Sequence, residues 1–237
     1  MYGEHPPPPG LAGRVACLWH QTTSADGTHL VVPDGCVDLI WGPTGVHVAG
    51  PDTGPMPTPM RVGDTYAGVR FLPGAVGEVF GVPVEAMRDM RVPTSDLPSP
   101  WREMAEEGGA GIEGRARVLL TAVEKRLRET GAPDPAAGAI AAALRRGVSV
   151  REVAWDLGFS ERQLHRRSVG SFGYSPKTLQ RIVRFQRALR LARAGVGLAE
   201  VAAESGYADQ AHLANDVKRL SGVPMTRLLG DRTPEGS

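Results

Sequence analysis

Arg162, His165 and Arg166 stand at i, i+3 and i+4, a spacing that puts three side chains on one face of a helix. Two guanidiniums and an imidazole on one face can read DNA. An arginine grips guanine O6 and N7 through two hydrogen bonds, a contact worth roughly 1–3 kcal/mol of discrimination between bases. Arg167 adds another positive charge to the same segment. Further along, Gln210, Ala211, His212, Ala214, Asn215 and Lys218 form a second set at helical spacing. There, glutamine and asparagine can pair with adenine, and alanine can touch a thymine methyl group. The N-terminal half offers different chemistry. Cys17 and His20 have C-x-x-H spacing, with His29, Asp34 and Cys36 nearby, and two cysteines with two histidines can hold a tetrahedral metal ion. Neither pair has a companion at a familiar finger spacing, and the plain alternative is that Cys17 is a small buried hydrophobe in a strand. Asp38, between Val37 and Leu39, is an acid in an apolar run, so it must point outward or find a partner. Asp34, Asp38 and Arg70 are candidates for a buried polar network or a ligand contact. Trp19 and Trp41 are candidates for a pocket wall or for core.

The elements that must position the two basic and polar sets repeat one another. The segment V-R-E-V-A-W-D-L-G-F-S-E-R-Q-L, from Val150 to Leu164, is echoed by L-A-E-V-A-A-E-S-G-Y-A-D-Q-A-H-L, from Leu198 to Leu213. Glu152/Glu200, Val153/Val201, Ala154/Ala202, Gly158/Gly206 and Phe159/Tyr207 recur at one offset of 48 residues, the mark of a duplicated supersecondary unit. Val150, Val153, Ala154 and Leu157 lie at helical spacing. Gly158 can take the positive φ that ends the helix, and Ser160 with Gln163 makes a capping-box pattern for the next one. A short helix, a tight turn and a second helix with Leu164 inward and arginines outward is a helix-turn-helix. A single copy would read equally well as an ordinary helical hairpin. Between the copies runs S-P-K-T-L-Q-R-I-V-R-F-Q-R-A-L-R-L-A-R-A-G, opening on Pro176 and stopping at Gly195. Eighteen helical residues would make a rod of about 27 Å, able to hold two recognition helices about one DNA turn, ~34 Å, apart.

These motifs, with F-G-Y-S-P-K-T-L-Q-R-I-V-R-F-Q-R-A-L and the closing G-V-P-M-T-R-L-L, resemble the AraC/XylS-type transcriptional regulators from Asp134 to Gly230. The resemblance implies two major-groove readers, operator binding near promoters, and base contacts from Arg162, His165 and Arg166. Ser168 stands where the family usually has an aromatic core residue, which gives Phe172 more of that packing. Asn215 stands where many members carry an arginine, so the second reader, with Asp209 and Asp216 beside it, has little positive charge. The phrases P-D-G-C-V-D-L-I-W-G, A-G-P-D-T and G-V-R-F-L-P-G-A resemble an N-terminal domain of actinobacterial AraC-type regulators, a resemblance that implies no particular ligand.

Charge divides the chain at the same place. There are sixteen basic and ten acidic residues from Asp134 onward, against eleven and sixteen before it, a net of +6 against −5. That asymmetry separates a DNA-facing part from the rest. The N-terminal half has short apolar or alternating runs at Arg14–Thr22, Thr28–Val32, Cys36–Trp41, Val46–Ala49 and Tyr66–Leu72, punctuated by turn residues. Ala75–Phe80 and Val84–Met90 read as helical turns, and Arg115–Glu129 as a helix. The expected class is therefore α+β: a small β-rich domain over residues 1–97, cupin-like by analogy, a linker and connecting helix over 98–133, and an all-α double helix-turn-helix domain over 134–231. With two cysteines, no disulfide framework is expected, and no signal peptide or membrane-length apolar run is read, so a cytoplasmic bacterial setting follows. No nucleophile elbow, phosphate-binding loop, dinucleotide fingerprint or zinc-protease motif is present, and neither an enzyme nor a cofactor is expected. The expected partners are double-stranded operator DNA, a small-molecule effector, RNA polymerase, and a second copy of the chain through the apolar stripe Val118, Leu119, Ala122, Val123 and Leu127. The alternative is a regulator that senses metal, oxidant or alkylation through Cys17 and Cys36.

Overall fold

The computed structural model describes residues 1–106 and 111–230. The N-terminal half is built of strands β1 (Tyr2–His5), β2 (Val15–Thr22), β3 (Gly27–Val31), β4 (Val37–Gly42), β5 (Gly45–Ala49), β6 (Met56–Met60), β7 (Thr65–Phe71) and β8 (Arg91–Pro93). Five of these fall on the runs expected from sequence; β1, β6 and β8 do not. Ala75–Phe80 contains turns but no helix, and Val84–Met87 is a short 3-10 helix. The order β1-β2-β7-β4-β5-β8 forms one sheet, antiparallel throughout, and β3 pairs with β6 in a separate two-stranded sheet.

Strand periodicity sorts the side chains of the large sheet into two chemistries. In β4, Val37, Leu39 and Trp41 are buried on one face, while Asp38 and Ile40 lie on the other. In β7, Ala67, Val69 and Phe71 share the first face, and Tyr66, Gly68 and Arg70 the second. A register shift between Val15 and Cys17 reconciles β2 with this pattern: Val15 joins the core of the first face, and Cys17 and Trp19 the small cluster on the second. The first face is covered by helix α1 (Gly111–Glu129), which places Leu119 and Val123 in one core with Val15, Leu39, Val69 and Phe71. The stripe expected to seek a second copy of the chain thus finds part of its partner within its own chain. The segment before α1, read as partly linker-like, also contributes to this core: Trp101 is buried beside Phe80 and donates its Nε1–H to the Val79 carbonyl at 2.8 Å. Residues 107–110 of that segment, and residue 231 at the expected end of the DNA-binding domain, lie outside the described residues.

The helical half comprises α2 (Pro135–Arg145), α3 (Val150–Asp156), α4 (Glu161–Phe172), α5 (Pro176–Arg193), α6 (Leu198–Glu204), α7 (Gln210–Ser221) and α8 (Met225–Gly230). Its second core gathers apolar residues from all seven around Leu179, Ile182, Phe185 and Leu189 of α5. Phe172 is buried there as expected, and Ser168 satisfies its hydroxyl by donating to the Tyr174 carbonyl at 2.8 Å. The two halves are packed together. Val32, just past β3, belongs to the helical core. Gln186 of α5 donates to the Pro33 carbonyl at 2.6 Å, and Arg88 donates to the Gly173 carbonyl at 3.1 Å.

Candidate nucleic-acid interface and ligand cavity

The α3–α4 unit has the local chemistry its sequence required. Ser149 and Glu152 form a capping box at the start of α3, and Ser160 and Gln163 form the expected one at α4. Gly158 takes φ +68° between them, and the Phe159 N–H closes the turn onto the Ala154 carbonyl at 2.8 Å. This fixes α4 against α3 with Leu164 fully buried, and leaves Arg162, His165 and Arg166 exposed on its outer face. Arg162 and Arg166 make no ion pair among the described residues. Arg167 differs: its Nη1 meets both Asp134 oxygens at 2.6 and 2.7 Å, and its guanidinium lies over the Phe159 ring at 4.6 Å. It clamps α4 to the start of α2, where Asp134 also accepts from the Ala136 N–H to cap that helix.

The α6–α7 unit repeats the design with one slip. Gly206 has φ +77°, and the Tyr207 N–H bonds the Ala202 carbonyl at 2.9 Å. At the position equivalent to Ser160, however, stands Ala208, which has no side chain to cap with. Asp209, one residue later, takes over by accepting from the His212 N–H at 2.7 Å. Helix α7 therefore starts one residue late, so Leu213 replaces Leu164 as the buried anchor. Gln210, Ala211, His212, Ala214, Asn215 and Lys218 are all exposed. His212 is partly committed to the turn, with Nδ1 accepting from the Ala208 N–H at 3.4 Å and its ring edge-on to Tyr207.

Asp216 corrects the sequence reading. The sequence places it among the negative charges beside Gln210 and Asn215, but it is 8% exposed and turned inward. Arg184 and Arg181 approach it at 3.2 and 3.5 Å, and the Tyr207 hydroxyl donates to it at 3.2 Å. Arg184 also lies over the Tyr207 ring at 4.2 Å and donates to the Gly206 carbonyl at 3.3 Å. These arginines of α5 brace α7 and the turn before it, a role their spacing alone does not reveal. Together with Lys177, His212, Asn215 and Arg219 they line a cleft between α5 and α7.

The second face of the large sheet and the β3–β6 pair enclose a cavity of about 280 Å³. Trp19, Tyr2 and Tyr66, with Ile40 and Met60, make its apolar end. Gly68 makes room for that arrangement, since a Cβ there would fall 2.3 Å from the Trp19 ring. The polar end holds Asp34, Asp38 and Arg70, the trio singled out in the sequence, and adds Asp52, Arg91, His47 and Gln186, which were not foreseen. Asp38 and Arg70 are direct cross-strand partners in β4 and β7, 3.1 Å apart, and Trp19 Nε1–H donates to Asp38 at 2.8 Å. Burial pushes the Asp38 carboxyl up, while Arg70 and the Trp19 donor oppose that shift. Asp38 in turn holds Arg70 firmly in its charged form. Arg91 grips Asp52 with two bonds of 2.9 Å each. His47 is pushed down by burial and by the nearby Arg91 charge, toward the neutral form.

Strand geometry separates Cys17 from His20. Residues three apart in a strand face opposite sides of the sheet, so Cys17 points into the cluster with Trp19 while His20 stacks on His5 at 5.3 Å. Cys36 is half-buried at the cavity wall. Burial pushes the Cys17 thiol up to about 12 and raises Cys36 as well. Among the described residues, no three His, Cys, Asp or Glu side chains are grouped to hold a metal ion, and no helix is long and apolar enough to cross a membrane. Trp41, the other tryptophan considered for a pocket wall, lies in the sheet core with Arg115 over its ring.

Residues 153–230 match the family described as a helix-turn-helix domain, and residues 3–93 match a domain of unknown function (DUF6597). No curated protein matches the chain in sequence. Among solved structures, the chain is similar to an apo variant of ToxT from Vibrio cholerae strain SCE256, at 12% identity over 92% of this chain and 97% of that one, with a TM-score of 0.49. The wild-type ToxT of that strain, bound to an unsaturated fatty acid, is similar at 10% identity over 94% and 98%, with a TM-score of 0.48. The C-terminal domain of AraT, a response regulator from Geobacillus stearothermophilus, is similar at 20% identity over 43% of this chain and 89% of that one, with a TM-score of 0.39. The match over residues 153–230, carried by the paired α3–α4 and α6–α7 units, identifies a C-terminal AraC-type helix-turn-helix DNA-binding domain behind an N-terminal domain of unknown function.

Proposed function

We propose that this protein is a sequence-specific transcriptional regulator that reads two adjacent major-groove segments of an operator and answers to a small molecule held in the N-terminal cavity. The observation that supports the DNA reading best is the pair of capped recognition helices, α4 and α7, braced on one 18-residue helix, α5. Arg162, His165 and Arg166 are the base readers of the first unit, and Gln210, Ala211, Ala214 and Asn215 those of the second. Lys218 and His212 flank the second reader, and Arg167 positions α4 through its pair with Asp134. RNA polymerase is the partner a promoter-bound regulator would touch, and the compartment is the cytoplasm, where the DNA is.

The effector reading rests on Gln186. It belongs to the helix that carries both readers, yet it lines the cavity and grips the Pro33 carbonyl in the turn just before Asp34. Whatever shifts that turn acts on α5 directly. Thiol sensing is the weaker reading, because both thiols are raised rather than activated and attack requires the thiolate. A homodimer would form on faces other than the buried Leu119–Val123 side of α1. The test is fluorescence anisotropy of the full chain on a selected operator and on a scrambled duplex, across a salt series. A steep fall of log affinity with log salt, about −0.9 per phosphate contact, together with a clear preference for the operator, supports the reading. Equal affinity for both duplexes overturns sequence specificity.

A further inference from the structure

We infer that the N-terminal cavity takes a small cationic amine with a planar apolar body, its ammonium group seated on Asp34. This rests on the cavity being a ligand site, and it goes further by naming the ligand's charge. The charged side chains lining the cavity are three carboxylates, Asp34, Asp38 and Asp52, and two guanidiniums, Arg70 and Arg91, with His29 and His47 alongside. Each guanidinium already has a carboxylate partner. Arg91 is held by Asp52 through two bonds of 2.9 Å, and Arg70 bonds Asp38 at 3.1 Å with Glu4 and Asp34 at 3.9 and 4.0 Å. A ligand carboxylate would bring a fourth acid to Arg70, or would displace Asp38 or Asp52 and leave a buried carboxylate unpaired, which is strongly unfavourable. Asp34 is the most weakly paired of the three, 4.0 Å from Arg70. One oxygen accepts the Cys36 N–H at 2.8 Å, and the other has no hydrogen bond among the described residues. It stands at the cavity wall, about a third exposed, where an ammonium could reach it.

The apolar end sets the rest of the ligand. Tyr2 and Trp19 are stacked at 6.2 Å with their planes 28° apart, and Ile40, Met60 and Tyr66 complete the wall. Flat walls of this kind favour a flat partner. At about 280 Å³ the space lies near the lower bound of ordinary ligand pockets, so the body is a single small ring system. Asp34 lies between Pro33, which Gln186 holds, and Gly35, beside which the Tyr174 hydroxyl is buried with no hydrogen-bond partner among the described residues. An ammonium on Asp34 would therefore pull on a turn that touches both Gln186 of α5 and Tyr174, just past the end of α4.

Calorimetry and thermal denaturation of the full chain with three matched probes, phenethylamine, 2-phenylethanol and 3-phenylpropionate, at millimolar concentration would test this. The expected result is that only the amine binds and raises the melting temperature, and that Asp34→Asn weakens it by about tenfold to a hundredfold, the loss of one charge-assisted contact. The comparison of head groups on the unaltered protein keeps the test valid if Asp34→Asn folds poorly. Binding of the acid, equal binding of the alcohol, binding of none of the three, or full amine affinity in a folded Asp34→Asn protein would each overturn the inference. If the amine binds but operator affinity does not change, the ligand assignment stands and the effector reading above fails instead.

Discussion

Replacing Asp216 by alanine removes the hub of the contact between α5 and the second reader. The carboxylate is 8% exposed and holds two guanidiniums and a phenol, at 3.2, 3.5 and 3.2 Å. Breaking a buried ion pair by deleting one partner typically costs about 3–5 kcal/mol. Here the surviving arginines are about a quarter exposed, with side chains at 26% and 29%, so they can turn toward water and recover part of that loss. We expect a cost of about 2–3 kcal/mol for Asp216→Ala, and about half of that for Asp216→Asn, which keeps the shape and can still accept from Tyr207. Hydrogen exchange is the suitable assay, because the chain has two cores and global unfolding need not be two-state. Amides of α6 and α7 should lose protection in the variant while those of the β-sheet keep it, and operator affinity should fall through the half-site read by α7. Adding Arg184→Ala to Asp216→Ala should cost less than Arg184→Ala does in the unaltered protein, since one of its partners is already lost while its contacts with Tyr207 and Gly206 remain to be broken. A loss below about 0.5 kcal/mol, the range of ordinary surface substitutions, would refute the inward placement of Asp216. So would additive costs for the double variant.

Arg162→Ala and Arg166→Ala should each relax preference at particular bases by about 1–3 kcal/mol in selection experiments with randomised duplexes, whereas Arg167→Ala should lower the melting temperature and leave base preference intact. Asn215→Arg should tighten binding to operator and random duplex alike, steepening the salt dependence by one phosphate contact in anisotropy titrations. Tyr174→Phe removes a buried hydroxyl that has no hydrogen-bond partner among the described residues and should stabilise the protein by about 1 kcal/mol in calorimetry; a loss of that size would show that the hydroxyl is satisfied. The raised Cys17 thiol means that the folded state favours the protonated form. Its contribution is fully present below the unfolded thiol's value near 9 and is lost as pH rises toward about 12, so Cys17→Ser should flatten the alkaline fall in stability.

The helical half was readable because its signals are local. Ser160 with Gln163, the glycines at 158 and 206, and the run from Pro176 to Arg193 each act within a few residues of themselves, and each appears where its chemistry demands. The long-range pairings were not readable in the same way. Asp216 looked like a surface acid because nothing near it in sequence says that Arg184, a helix away, would reach it. Strand β6, M-P-T-P-M, was hidden by its prolines, which argue against a central strand but suit an edge strand such as this one, in a pair with β3 alone. Strands β1 and β8, at four and three residues, are too short to show a period. In the cavity, Asp34, Asp38 and Arg70 stood out because charge in apolar strands is conspicuous. Asp52, Arg91 and Gln186 did not, because only the register of β5 on β8 and the docking of α5 on the β-domain bring them there. Cys17 and His20 misled in the opposite sense: their spacing looks like a ligand pair until the strand sends them to opposite faces.

The most direct test of the central claim is a hydroxyl-radical footprint of the full chain on an operator selected from random duplexes. Two capped readers on α5 predict two protected patches on one face of the DNA, about one helical turn or ~34 Å apart, with the patch under Arg162 and Arg166 the more sequence-constrained. Mutating the other half-site should cost less. A single protected patch, or equal sensitivity of both half-sites, would contradict the account.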